Sequence, residues 1–157
     1  ASTIKLDLAY HRIKKTADKQ LSVLDLSGCG MPFVFDEIRM VPVLGECLVD
    51  LNLARNNLFN SDSVFVVLQV LRNLRRLSLA NNYLNGKLSE LSGNLPLLEE
   101  LDVDGNQLNA LPASCGNWIN LKVFSCGSNG IKELPQGAEN WTKLEMCNMR
   151  ENQVGAE

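Results

Sequence analysis

Six segments of this chain superpose without a gap on one apolar pattern, L-x-x-L-x-L-x-x-N-x-L. They run Leu21–Met31, Leu48–Leu58, Leu74–Leu84, Leu98–Leu108, Leu121–Ile131 and Leu144–Val154. Phe, Cys, Val or Met replaces leucine at some of the apolar positions. The first anchors fall at 21, 48, 74, 98, 121 and 144, so successive intervals are 27, 26, 24, 23 and 23 residues. A near-constant period of this size marks one supersecondary unit stacked on copies of itself, each burying its apolar face only against its neighbours. A weaker match, Thr3–Ile13, places His11 in the Asn slot, with an interval of 18 to the next anchor. It predicts a further repeat over residues 3–20.

Within each segment the leucines alternate with polar residues, the period-2 signature of a strand with one buried face. Leu24 and Leu26, Leu51 and Leu53, and Leu77 and Leu79 are predicted to point inward. Parallel strands cannot be joined by a hairpin, so each needs a longer return segment. Asn56, Asn82, Asn106, Asn129 and Asn152 close the strands. An amide side chain offers both donor and acceptor, so stacked copies can form a buried ladder. Cys29 takes the slot in the first strong unit, and that turn is expected to be looser or differently paired. Asn60 to Ser63, followed by the apolar run to Arg72, reads as a capped amphipathic helix of about two turns. Pro112 and Pro135 mark shorter, more extended returns with only partial helix. Trp118 and Trp141 share an offset three residues before an anchor, which makes them a stacked pair in the outer core layer. Cys126 and Cys147 occupy core strand positions and are expected to be buried.

The motif, its period and its coverage of essentially the whole chain resemble the leucine-rich-repeat superfamily. The later units carry Leu111-Pro112 and Leu134-Pro135 and resemble the typical-class repeats of intracellular scaffolds of the Ras-scaffold type. The unit with Leu84 to Leu88 leans toward a plant-like pattern. The resemblance implies an α/β fold: a leucine-rich-repeat solenoid, here a curved right-handed horseshoe segment. A parallel β-sheet would line its concave face, with mixed short helices and extended turns on the convex face. Residues 1–157 read as a single domain. The chain stops at Val154 to Glu157, just after a strand motif, so a longer parent protein is expected.

Chemistry by side chains has little foothold here. The chain holds one histidine, and there is no G-x-S-x-G, H-E-x-x-H or G-x-x-x-x-G-K-[ST] pattern. Asp102, Asp104 and Asn106 imitate the opening of a calcium loop, but Ala113 stands where the closing glutamate is required. No catalytic residue, metal or cofactor is expected. A pI near 5.2 and a formal charge of −3 disfavour direct nucleic-acid binding. No apolar run reaches the roughly 18 residues of a membrane span. Five cysteines without a C-x-x-C read as free thiols in a reducing, intracellular and cytoplasmic setting.

If the sheet lines a concave face, its non-leucine positions form columns across neighbouring strands about 4.8 Å apart. One column reads Ser22, Val49, Arg75, Glu99, Lys122, Glu145. The next reads Val23, Asp50, Arg76, Glu100, Val123, Met146. A third is small and polar: Asp25, Asn52, Ser78, Asp102, Ser125, Asn148. The alternating charges either neutralise the sheet or mark a binding face. Sorting residues by repeat position places five basic and eight acidic residues at exposed strand positions, a difference of −3. That equals the formal charge of the whole chain. The partner-binding candidates are Asn52, Arg55, Arg75, Arg76, Ser78, Glu99, Glu100, Asp102, Asp104 and Lys122. The resemblance implies a non-enzymatic interaction module, a scaffold or adaptor that is monomeric as a domain and takes a protein partner on this face. Two alternatives stay open: the recognition or regulatory portion of a larger enzyme (kinase, phosphatase regulator or ubiquitin ligase), or a structural subunit of a ribonucleoprotein or ciliary assembly.

Overall fold

The computed structural model describes residues 5–153. Thr3, Ile4 and Val154, which belong to the outermost pattern matches, lie outside that range. Each of the six strong segments forms a three-residue strand starting two residues after its anchor. The strands β1 (Val23–Asp25), β2 (Asp50–Asn52), β3 (Arg76–Ser78), β5 (Glu100–Asp102), β7 (Val123–Ser125) and β8 (Met146–Asn148) form one sheet in the order β1-β2-β3-β5-β7-β8. All its pairings are parallel, and the register runs Val23↔Asp50↔Arg76↔Glu100↔Val123↔Met146. The alternation in sequence thus becomes alternation in space. Leu24, Leu51, Leu77, Leu101 and Phe124 are buried from the middle of their strands, and Leu26, Leu53, Leu79, Val103 and Cys126 continue the same layer. Each fully buried leucine contributes roughly 1.5–3 kcal/mol of apolar transfer free energy.

The returns differ according to their sequences. The first contains the short helices α2 (Glu37–Met40) and α3 (Pro42–Cys47), with proline in the first turn of the second, where its missing N–H costs no hydrogen bond. The next contains α4 (Ser61–Leu68). The Asn60 side chain caps it by accepting the Ser63 N–H at 3.1 Å, which satisfies one of the orphan donors of the first turn. The later returns shorten to 3₁₀ turns at Glu90–Asn94, Ala113–Asn117 and Gln136–Asn140. The last two follow Pro112 and Pro135, whose backbones are extended. A second, two-stranded sheet pairs β4 (Asn85–Lys87) with β6 (Gln107–Ala110) in parallel, with a register shift after Gly86. The close approach of consecutive returns requires glycine at 137, where a Cβ would lie 2.7 Å from the Gly116 nitrogen.

Trp118 and Trp141 stack in the outer layer with ring centroids 6.0 Å apart and planes 21° from parallel. Their indole N–H groups donate to the carbonyls of Ser92 (3.0 Å) and Cys115 (2.8 Å), so the polar edge of each ring is satisfied inside the core.

The five asparagines form a continuous ladder. In each rung Oδ1 accepts a backbone N–H of the preceding unit: from Met31 (2.9 Å) for Asn56, Leu58 (3.1 Å) for Asn82, Leu84 (3.0 Å) for Asn106, Leu108 (3.0 Å) for Asn129 and Ile131 (3.0 Å) for Asn152. Nδ2 donates back to that unit's carbonyls, at Leu26, Leu53, Leu79, Val103 and Cys126. Cys29 cannot make such a rung. Its thiol lies 3.7 Å from the Ser27 carbonyl, its N–H donates to Asn56 Oδ1, and its carbonyl accepts from Lys5 N–H at 2.8 Å. That turn is therefore held by its neighbours.

Two expectations need correction. The described residues of the 3–20 match form a helix where a repeat strand was expected: Leu6–Lys19 is an α-helix, α1. Leu6, Ala9, Ile13, Thr16 and Ala17 recur at helical spacing and pack toward the core, while Leu8 and His11 are exposed. Arg12 Nη1 donates to the Asp25 carbonyl at 2.9 Å, which ties α1 to the first strand of the sheet. The helix thus covers the end of the stack, where a further strand would leave an open edge. Cys147 is exposed and not buried, because β8 is the edge strand of the sheet among the described residues. Cys126, one unit inward, is fully buried.

The Glu90 carboxylate joins successive returns. Glu90 accepts from the backbone N–H groups of Ala113 (3.0 Å) and Ser114 (2.9 Å) and pairs with Lys87 at 2.8 Å. The Lys87 ammonium first, with the two amides after it, holds the carboxyl at a pKa of about 2, below its usual 4.5. A depressed carboxylate pKa stabilises the fold fully above the usual value, and that stability is lost as pH falls toward the folded one. Glu90→Gln is therefore expected to lower Tm at pH 7, with the difference from the parent closing between about pH 4.5 and 2. The side chain is 43% exposed, so solvent screening limits the effect to about 1 kcal/mol or less. Thermal melts at stepped pH check it, and a pH-independent difference would remove Glu90 from the account.

Candidate functional site

The solvent-facing side of the six-stranded sheet is where the candidates meet. The strands leave every second side chain on this side, and the register sets them in columns, so residues far apart in sequence become neighbours. Arg76 Nε donates to Asp50 Oδ2 at 3.0 Å across β2 and β3. Arg75 Nη1 pairs with Glu99 Oε2 at 2.8 Å, and Lys122 Nζ reaches Glu99 Oε1 at 3.6 Å. Burial opposes ionisation of Glu99, but its two cations outweigh it and hold the carboxyl below the usual range. Each such surface pair is worth about 0.2–1 kcal/mol, so the network organises the face more than it stabilises the fold.

The alternation of charge in the sequence is therefore only half converted into pairs. Among the described residues, Glu100 has no ion-pair partner although Arg76 is its neighbour in register, because Arg76 turns to Asp50. Asp102 likewise has none. Asp102 Oδ1 accepts the Asp104 N–H at 3.0 Å, and burial pushes its carboxyl up from the usual value. Asp104 behaves differently. Its Oδ1 accepts from Ser125 Oγ (2.7 Å) and from the Gly127 N–H (2.6 Å), so it ties one unit to the next. Asn52 and Ser78 fold back on their own turns, accepting from Ala54 and Ala80 N–H. Arg55 stands apart from the central group. It sits in a left-handed turn conformation (φ 55°), and its charge acts on Asp25 of β1. Asp25 itself is held low chiefly by the Ser27 hydroxyl.

The centre of this face is a shallow depression of about 270 Å³. Asp50, Asn52, Arg76, Ser78, Glu100, Asp102, Val123 and Ser125 line it, over a floor of Leu77 and Leu101. Val123 is the apolar member that charge sorting passed over; its place beside Glu100 in register was already implied by the repeat. Among the described residues no group of three or more His, Cys, Asp or Glu side chains could hold a metal ion, and no helix is long and apolar enough to cross a membrane.

Comparison with known proteins gives a consistent picture. Residues 73–95 and 97–118 match the family model described as Leucine Rich Repeat. No curated protein matches the chain. Among solved structures, an internalin of Listeria monocytogenes superposes with TM-score 0.72 at 21% identity, covering 88% of this chain and 37% of its own. A repeat protein of Leptospira interrogans gives 0.66 at 24% identity, covering 90% of this chain and 40% of its own. The plant peptide hormone receptor RGFR1, solved in complex with RGF2, gives 0.71 at 32% identity, covering 85% of this chain and 21% of its own. The chain spans less than half the length of each of these three.

Proposed function

We propose that this chain, a member of the leucine-rich-repeat superfamily, is a non-catalytic recognition module that binds a protein or peptide on the solvent-facing side of its six-stranded sheet. The observation that carries this reading is the central depression, where charged side chains converge and two carboxylates, Glu100 and Asp102, have no salt-bridge partner among the described residues. A sheet that existed only to be solvated would gain by pairing those charges. The plant receptor that resembles this chain was solved with a peptide, which supports a peptide or protein as the class of ligand. Residues of opposite sign in adjacent columns suit orientation and rapid encounter more than raw affinity. The short share of each relative's length favours a recognition segment within a larger protein.

The compartment in this proposal is a reducing one. All five cysteines are free, and burial pushes the Cys115 thiol up to about 11 and the Cys126 thiol up to about 12. Such thiols stay protonated and unreactive, as packing residues do.

The test is charge reversal at two separate points. Binders isolated by affinity capture and identified by mass spectrometry are titrated against the parent chain, Arg76→Glu and Asp102→Arg. Each variant is expected to lose at least tenfold in affinity, with circular dichroism unchanged. Equal binding by both folded variants would remove this face from the proposal.

A further inference from the structure

We infer that the sheet face receives an extended segment of a protein partner lying across the strands, with one lysine or arginine of that segment seated between Glu100 and Asp102. This rests on the reading of the same face as the binding surface and names the chemistry it selects.

The cations on this part of the sheet are already engaged: Arg76 by Asp50, and Arg75 and Lys122 by Glu99. Glu100 and Asp102 lie two residues apart on β5, so both point from the same side of the strand into the same depression. Among the described residues neither is within ion-pairing reach of a lysine or arginine. Burial raises the cost of the charge on Asp102, and an incoming cation would reverse that cost. Val123, opposite Glu100 in register, offers an apolar wall for the methylene stem of a long basic side chain, whose charged head would reach the carboxylates. An anionic side chain entering here would meet two like charges, which act against the wrong partner.

The depression reaches from β2 to β7, three strand spacings, or about 14 Å at about 4.8 Å each. An extended chain advances about 3.3 Å per residue, so about four partner residues cross it. Among the described residues no third His, Cys, Asp or Glu side chain joins these two closely enough to hold a metal ion, so a bound divalent cation is a poor fit. A side chain that brings its own charge and backbone is a better one.

The experiment uses the full 157-residue chain and a displayed library of random 12-residue peptides. Peptides are selected on the parent chain and counter-selected on the double variant Glu100→Gln, Asp102→Asn. Both replacements keep side-chain shape, and a thermal melt confirms the fold of the variant. The expected outcome is a selected set with a common Lys or Arg. Replacing that residue by Gln should weaken binding at least tenfold on the parent and less than twofold on the double variant. Peptides that depend on Arg76 or Val123 but share no basic residue would overturn this inference and leave the face as the binding surface. A selection with no peptide sensitive to any substitution on the face would overturn both.

Discussion

Asn106→Ala is expected to destabilise the protein by about 3 kcal/mol, read as a lower urea midpoint with an unchanged slope. The Asn106 side chain is the acceptor of the buried Leu84 N–H at 3.0 Å, and no other acceptor serves that group. Its amide also donates to the carbonyls of Leu79 (3.0 Å), Val103 (3.0 Å) and Asp104 (3.2 Å). The Leu79 and Val103 carbonyls keep second donors from Asn82 and Asn129, so their loss is partial. The orphaned N–H is the main penalty, at about 1–3 kcal/mol, with the lost bonds adding to it. Asn106→Asp tests the donor side separately. It retains an acceptor for Leu84 but aims a carboxylate at three carbonyls, so its folded-state pKa rises and its penalty grows with pH through the carboxylate range. Asn152→Ala, on the edge rung where the side chain is only partly buried, should cost about 1 kcal/mol because water can replace what is lost. Equal costs at positions 106 and 152 would show that burial does not set the strength of the ladder.

Trp118→Ala should cost more, about 3–5 kcal/mol. The ring is fully buried and is packed against Trp141 at 6.0 Å and Phe124 at 6.2 Å, and Phe124 lies 5.1 Å from Trp141. Truncation opens a cavity among three aromatic side chains held by short returns that cannot collapse freely. It also removes the donor to the Ser92 carbonyl, although Leu95 N–H still serves that acceptor. Trp118→Phe keeps most of the volume and loses the indole donor, so about 1–2 kcal/mol is expected. Chemical denaturation followed by circular dichroism measures both without relying on the fluorophore that is removed. A loss below 1 kcal/mol for the alanine variant would mean that the aromatic stack is not part of the core energetics.

The strand positions were legible because the pattern is enforced by burial at every unit. Slipping a segment by one residue would turn Leu51 and Leu53 to solvent and the charged columns inward, so a gapless repeat carries its own register. The ladder positions were legible for a related reason: an asparagine at one offset in five units meets the same backbone groups of the preceding unit each time. The N-terminal match failed on a short-run ambiguity. Leu6 and Leu8 imitate the alternation of a strand, whereas Leu6, Ala9, Ile13 and Thr16 follow helical spacing, and the exposure of Leu8 shows which pattern the chain obeys. The small β4–β6 sheet also went unread, because Asn85 to Lys87 carries little strand propensity and its pairing depends on the neighbouring unit at Gln107.

The sequence alone determined which residues face the core, which columns stand on the sheet and which asparagines close the turns, since periodicity and burial act on every unit alike. What only the tertiary structure decided was how the exposed charges are shared. Glu99 takes both Arg75 and Lys122, Asp104 bonds across to Ser125 and Gly127, and Arg76 turns to Asp50, leaving Glu100 and Asp102 without an ion-pair partner among the described residues. Register limits which charges are neighbours. The choice among neighbours rests on side-chain reach, local desolvation and competing hydrogen bonds, terms of about 1 kcal/mol each that exist only once the strands are in place.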